Sequence, residues 1–264
     1  MNRRKKIALG IAGVGTLISS WLTYDFGDEV LNASPREIAV EEKVGREIFM
    51  NWTDEQQQRD QKATLVERLY DGVRPFWDHF TKQWENVTLI EVDDLGEATN
   101  AMMNTPVFYP NTLRLNSRPP FLQEGTLVHE LAHAWYGSLS WKEQEHFRKR
   151  WLDVSNKAYH YCGPYEETDT CRNPFKSCKD YVREAATTSC YGASSFEEDV
   201  AEVVRTVFSL NRYPQTFQLY LQNIDPLSHR RVVAKIQLAG EFDFFSKREE
   251  ETATTLIRTH FARR

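Results

Sequence analysis

The sequence predicts an α+β fold, mostly helical with a small sheet. Three observations carry this expectation. Apolar residues recur at helical spacing through most of the chain, only two short runs are β-rich, and one helical segment gathers histidine and glutamate beside its apolar stripe. At 264 residues the chain can bury a substantial core as one large domain or two small ones.

The chain opens with a dense basic run, Arg3-Arg4-Lys5-Lys6, followed at once by the apolar stretch from Ile7 to Leu22. A basic start and an apolar run are the first two regions of an export signal. The exit at Ser19 to Tyr24 is a mediocre cleavage site, and Trp21 and Tyr24 suit a membrane interface. Residues 1–24 therefore read either as a cleaved signal peptide or as a retained signal-anchor, with residues 7–22 as a membrane tether. Both readings put the rest of the chain outside the cytoplasm, in a periplasm, at a cell surface or secreted. The formal net charge is -5, with both signs mixed along the chain, which gives no reason to expect a nucleic-acid partner.

After a linker at residues 25–34, residues 35–264 form a single domain in this reading, beginning with a helical part at 35–86. Ile38, Val44, Ile48 and Phe49, then Leu65, Leu69, Val73, Phe76, Trp77 and Phe80, fall near helical spacing from Arg36 to Glu85. Pro75 restarts or kinks that helix. The polar patch from Thr53 to Lys62 reads as a solvated helix face. Val87 to Val92 is a candidate strand, and Val107 to Leu115 a second one, broken by Pro110 and so suited to a sheet edge. Such an edge either closes the sheet or holds an extended peptide by β-augmentation.

A helix should begin after Pro119-Pro120 and stop near Gly137, with Val128, Leu131, Ala132 and Trp135 as its apolar stripe. It carries His129, Glu130 and His133 in the order His-Glu-x-x-His. Residues four apart stack one turn above each other, so two imidazoles can reach one metal ion while the glutamate sits beside a water on it. Beyond it lie an amphipathic helix from Trp141 to Lys157, a loop-like insertion at 158–191, and helical stretches at Phe196 to Ser209, Thr216 to Ile224 and Glu249 to Phe261.

The insertion holds all four cysteines, Cys162, Cys171, Cys178 and Cys190, without a Cys-x-x-Cys pair. An even number in an exported chain favours two disulfides over a structural zinc site. Three connectivities are open, and proximity favours Cys162 with Cys171 and Cys178 with Cys190.

A catalytic zinc site needs a third protein ligand and an open fourth position. No histidine follows His133 at a suitable distance, which leaves a glutamate on a later helix. Glu198 and Glu202 are four apart, so one can ligate while the other, a turn away, accepts a hydrogen bond from the free nitrogen of a ligand histidine; Glu197 has Ala201 at that offset. Against this, both glutamates project opposite the apolar side made by Phe196, Val200, Val203, Val204 and Val207, which alone is the pattern of a solvated face. His79, His146, His160, His229 and His260 have no ligand spacing and read as surface or satisfied core residues.

The segment Tyr191-Gly-Ala-Ser-Ser-Phe-Glu-Glu-Asp-Val-Ala-Glu-Val-Val-Arg-Thr-Val-Phe208, followed by Pro214-Gln-Thr-Phe-Gln218, resembles the matching part of the anthrax lethal factor protease family. The likeness covers about residues 123–137 and 190–224. It implies a zincin-like metallopeptidase domain of the gluzincin type, one Zn2+ per chain, and a peptide or protein substrate. It further implies Glu198 as zinc ligand beside His129 and His133, and Tyr191 as catalytic tyrosine, with Glu130 as general base. The expected activity is that of an exported zinc metalloendopeptidase, a hydrolase. The alternative is a catalytically inactive zinc-binding or interaction module of the same fold, against which Glu130 speaks, since a structural site has no use for it.

Overall fold

The computed structural model describes residues 33–50, 54–95, 101–104, 111–117, 124–155, 180, 182–183, 186–214, 221 and 224–262. Helix α1 (Pro35–Val44) starts where Ser34 Oγ accepts the Glu37 N–H at 2.8 Å and Glu37 reaches back to the Ser34 N–H. Gly45, at φ 69°, ends it. The chain then turns into strand β1 (Glu47–Met50), which the helical reading of residues 36–85 missed. Ile48 fits the helical spacing of Val44, but the left-handed stop at Gly45 releases the chain into a sheet where Ile48 and Met50, two apart, are both buried.

Helix α2 (Gln56–Val73) runs into a 3-10 turn (Arg74–Phe76) containing Pro75, and helix α3 (Phe80–Trp84) follows, so the proline does restart the helical path. The patch from Thr53 to Lys62 is not wholly solvated. Arg59 is buried and donates from Nε and Nη2 to Glu37 Oε2 at 3.0 and 2.9 Å, locking α2 to α1.

Strands β2 (Leu89–Asp93), β3 (Ala101–Asn104) and β4 (Thr112–Asn116) complete a mixed sheet of order β1-β2-β4-β3. β1, β2 and β4 run parallel, and β3 is antiparallel to β4. Ile48, Ile90, Leu113 and Met103 align across it, as do Met50, Val92, Leu115 and Ala101. These rows form the face packed on the helices.

The strand expected at Val107 to Leu115 exists as β4 but is not an edge: β2 and β3 flank it. The edge on the side of the histidine helix is β3, whose sequence Ala-Met-Met-Asn has little intrinsic β preference. Pro110 lies outside the described residues.

Helix α4 (Glu124–Ser138) carries the two histidines, and α5 (Trp141–Val154) follows through a capping box of Ser140 and Glu143. A 3-10 turn (Tyr191–Ala193) leads into α6 (Phe196–Arg212), capped by Ser195 Oγ on the Glu198 N–H at 3.1 Å. α7 (His229–Glu241), absent from the sequence reading, and α8 (Lys247–Ala262) complete the described elements. Phe147, Trp151, Phe196 and Phe244 are fully buried where α5, α6 and α7 meet. Each removes enough apolar surface from water to stabilise the fold by roughly 1.5–3 kcal/mol.

The segment at residues 1–24 and Cys162, Cys171 and Cys178 lie outside the described residues, as does most of Thr216 to Ile224. Cys190 is disulfide-bonded. Among the described residues, no helix is long and apolar enough to cross a membrane.

Candidate metal centre

Helical geometry places His129 and His133 one turn apart on α4, with ring centroids 4.9 Å apart and Nε2 atoms 3.2 Å apart. α6 packs across this face of α4. Its first turn brings Glu198 Oε2 to 2.9 Å from His129 Nε2 and 3.5 Å from His133 Nε2. Three ligand-type atoms thus converge at separations of 2.9, 3.2 and 3.5 Å. A tetrahedral zinc site with ligand bonds of about 2.0–2.1 Å has edges of about 3.3–3.4 Å. The three atoms match one face of such a tetrahedron, and a set of two imidazoles and one carboxylate suits zinc. Among the described residues, this is the cluster of His, Cys, Asp or Glu that could hold a metal ion.

The remaining ring nitrogen of His129 is held from the other side. Its Nδ1 lies 2.9 Å from Glu202 Oε1, one turn further along α6. With Nδ1–H donating to that carboxylate, Nε2 is left to face the cluster. Glu202 is 5% exposed and is itself held by Arg205, whose Nη1 donates to the same oxygen at 3.0 Å. The Thr188 hydroxyl donates to the Glu202 backbone carbonyl at 3.1 Å.

Charge is strongly coupled here. Burial opposes a charge on His129, but Glu198 and Glu202 outweigh it and lift its pKa to about 9 in the metal-free protein. Burial alone would raise Glu198 and Glu202, yet their histidine partners hold both at about 2, with Arg205 adding to the effect on Glu202. Glu130 is different. Burial pushes its carboxyl above the ordinary range, and the neighbouring histidines only partly offset this. Its side chain also accepts a hydrogen bond from the Met103 backbone of β3. A carboxylate raised toward neutrality is suited to taking up and releasing a proton.

Tyr191 sits above the cluster, 46% exposed, with its ring centroid 5.7 Å from that of His129. Partial burial, the negative charge of Glu198 and a hydrogen bond to it all raise its pKa, so the phenol keeps its proton and can donate it. The turn that carries it depends on Gly192. A Cβ there would lie 2.5 Å from Thr187 Oγ1, 3.2 Å from Glu202 Cβ and 3.4 Å from Asp199 Cα.

The structure thus gathers His129, Glu130, His133, Tyr191, Glu198 and Glu202 from two helices and a turn. Sequence reasoning missed the Met103 contact, which no local pattern encodes. It also missed Arg205, which could have been found three residues after Glu202 at helical pairing distance. The other described histidines stand elsewhere: His79 Nδ1 lies 3.0 Å from the Asp243 carbonyl, His229 Nδ1 is 2.8 Å from that of Pro226, and His146 lies against Phe242.

No protein family matches the sequence, and no curated protein does. Among solved structures, the chain is similar to one from Bacteroides caccae described as a "putative zinc-binding metallo-peptidase". The two are 13% identical, with a TM-score of 0.49 over 88% of this chain and 94% of that one. A likeness at that level carries no functional argument, and the centre stands on its own geometry.

Proposed function

We propose that the chain is a zinc-dependent metalloendopeptidase that hydrolyses peptide bonds outside the cytoplasm. The observation that carries this reading is the face of three donor atoms from His129, His133 and Glu198 with a buried, proton-accepting Glu130 beside it. A structural metal site would be closed by a fourth protein ligand and would not need a buried base.

A bound zinc ion would supply a Lewis acid that acidifies water and polarises a carbonyl. Glu130 takes the proton of the attacking water and delivers it to the leaving amine, the role its raised pKa supports. Tyr191 donates a hydrogen bond to the carbonyl oxygen as negative charge develops there. The resemblance of Tyr191 to Phe208 to the lethal factor family supports the same role for this tyrosine. Glu202 keeps His129 oriented through Nδ1. The substrate strand belongs to β3 rather than to residues 107–115, because β3 is the edge whose Met103 backbone touches Glu130. An extended peptide added there brings its backbone alongside the base.

Export is supported by the basic and apolar start of the chain and its even cysteine count. Cell fractionation with N-terminal sequencing of the mature protein decides between a cleaved signal and a tether at residues 7–22.

The reading is tested by metal analysis and hydrolysis of a mixed peptide library. One zinc per chain and hydrolysis abolished by chelation are expected, with zinc lost in Glu198→Ala. Stoichiometric zinc in Glu198→Ala overturns the ligand assignment. No hydrolysis by the zinc-loaded protein overturns the enzyme.

A further inference from the structure

Lys235 of α7 and Asp199 of α6 are both completely buried, with Nζ 2.5 Å from Oδ2. The same oxygen accepts the Trp151 Nε1–H of α5 at 2.8 Å, and the ammonium lies 5.4 Å from the centre of the Trp151 ring. Three helices therefore meet on one carboxylate, in a core otherwise built of Phe147, Trp151, Phe196 and Phe244. Burying such a pair is expensive, and well-packed apolar residues in its place are often neutral or stabilising. Stability alone does not account for it.

Its position does. Asp199 follows Glu198 directly and lies about 100° round α6 from it. Its Cα is also part of the surface on which the Tyr191–Ala193 turn rests, at the point where Gly192 makes its close approach. A rotation or slide of α6 at Asp199 would therefore carry Glu198 and Glu202 away from His129 and shift the seat of Tyr191 together.

We infer that Lys235 and Asp199 are positioning residues for the metal centre: their buried pair, with Trp151, fixes the rotation of α6 so that Glu198 and Glu202 both meet His129 and Tyr191 stays over the cluster. This rests on the reading that His129, His133 and Glu198 hold zinc. The pair touches neither metal nor substrate. It acts through the helix.

The test replaces both charges at once, with Lys235→Met and Asp199→Asn, the asparagine keeping an acceptor for Trp151. Zinc affinity by competition with a chromophoric chelator and the visible spectrum of the cobalt-loaded protein are measured on the full chain. The double variant should unfold thermally no earlier than the wild type, yet bind zinc roughly 10–100-fold more weakly, as for other groups that orient metal ligands, and show an altered cobalt spectrum. Val232→Ala, a core change on the same helix α7, should do the reverse: lower stability with wild-type affinity. Should the double variant not fold, Trp151→Phe removes a second donor to Asp199 while keeping an aromatic ring, and a weaker zinc affinity is again expected. Wild-type affinity and spectrum in whichever of these variants folds overturn the inference alone. Absence of zinc from the wild-type protein overturns it together with the metal-site reading.

Discussion

The Nδ1 of His129 meets Oε1 of Glu202 at 2.9 Å, although the two residues are 73 positions apart in the chain. That contact, with the one from Glu198 to Nε2, makes His129 the hinge of the site: a single ring gripped on both nitrogens by one helix. Its consequences can be measured.

The first concerns proton balance. In the metal-free protein His129 has a pKa raised to about 9, so its stabilising effect is complete below pH about 6.5 and lost as pH climbs through 9. Glu198 and Glu202 are shifted the opposite way, to about 2, so their effect is present above pH about 4.5 and lost on acidification toward 2. Both are views of the same pairs. Thermal stability of the chelated protein should peak between about pH 4.5 and 6.5 on this account and decline toward 9. Zinc entering at pH 7.5 should release about one proton, read by calorimetry in buffers of different ionisation enthalpy.

Glu130→Gln removes the proton acceptor while leaving every proposed ligand. Zinc content should stay at one per chain and kcat should fall by roughly 10²–10⁴-fold, the usual worth of general acid–base catalysis. Undiminished turnover in this variant would falsify the role of Glu130.

Tyr191→Phe deletes one hydrogen bond from the developing oxyanion. A kcat loss of roughly 10²–10³-fold with KM and zinc content near wild type is expected. A loss confined to KM would show instead that the tyrosine binds substrate.

Away from the centre, Arg59→Leu leaves Glu37 buried with its guanidinium partner gone. Urea unfolding should report a loss of about 3–5 kcal/mol, and the double variant with Glu37→Leu should recover much of it, because the buried carboxylate that lost its guanidinium is then gone too. Equal stability of wild type and Arg59→Leu would show that Arg59 does not hold the Glu37 carboxylate.

The parts of the fold legible in the sequence are those whose patterns are local. α4 follows from its apolar stripe and its stop near Gly137, and the His129, Glu130 and His133 spacing follows from helix geometry alone. β1 was hidden because Ile48 lies four residues after Val44 and so continues a helical period, while its strand alternation with Met50 is only one step long; the left-handed Gly45 decides. β3 was hidden because pairing with β4, rather than residue preference, makes it a strand. α7 begins at Ser228 with no acidic residue in its first turn and no side-chain cap hydrogen bond, so its start is only weakly marked. Glu198 and Glu202 lay between two readings, since a polar face opposite an apolar one looks the same whether it meets water or another helix's histidines. What separates them is packing across a long stretch of chain, which no local window contains.

That long separation also sets a schedule. His129 and His133 precede Glu198 by 69 and 65 positions, and Glu198 is residue 198 of 264. A polypeptide emerging amino end first, from a ribosome or through a translocation channel, has only two of its three donors until 65 residues beyond His133 have followed. The donor face is thus a product of tertiary packing, complete only once α6 has followed α4 and docked across it.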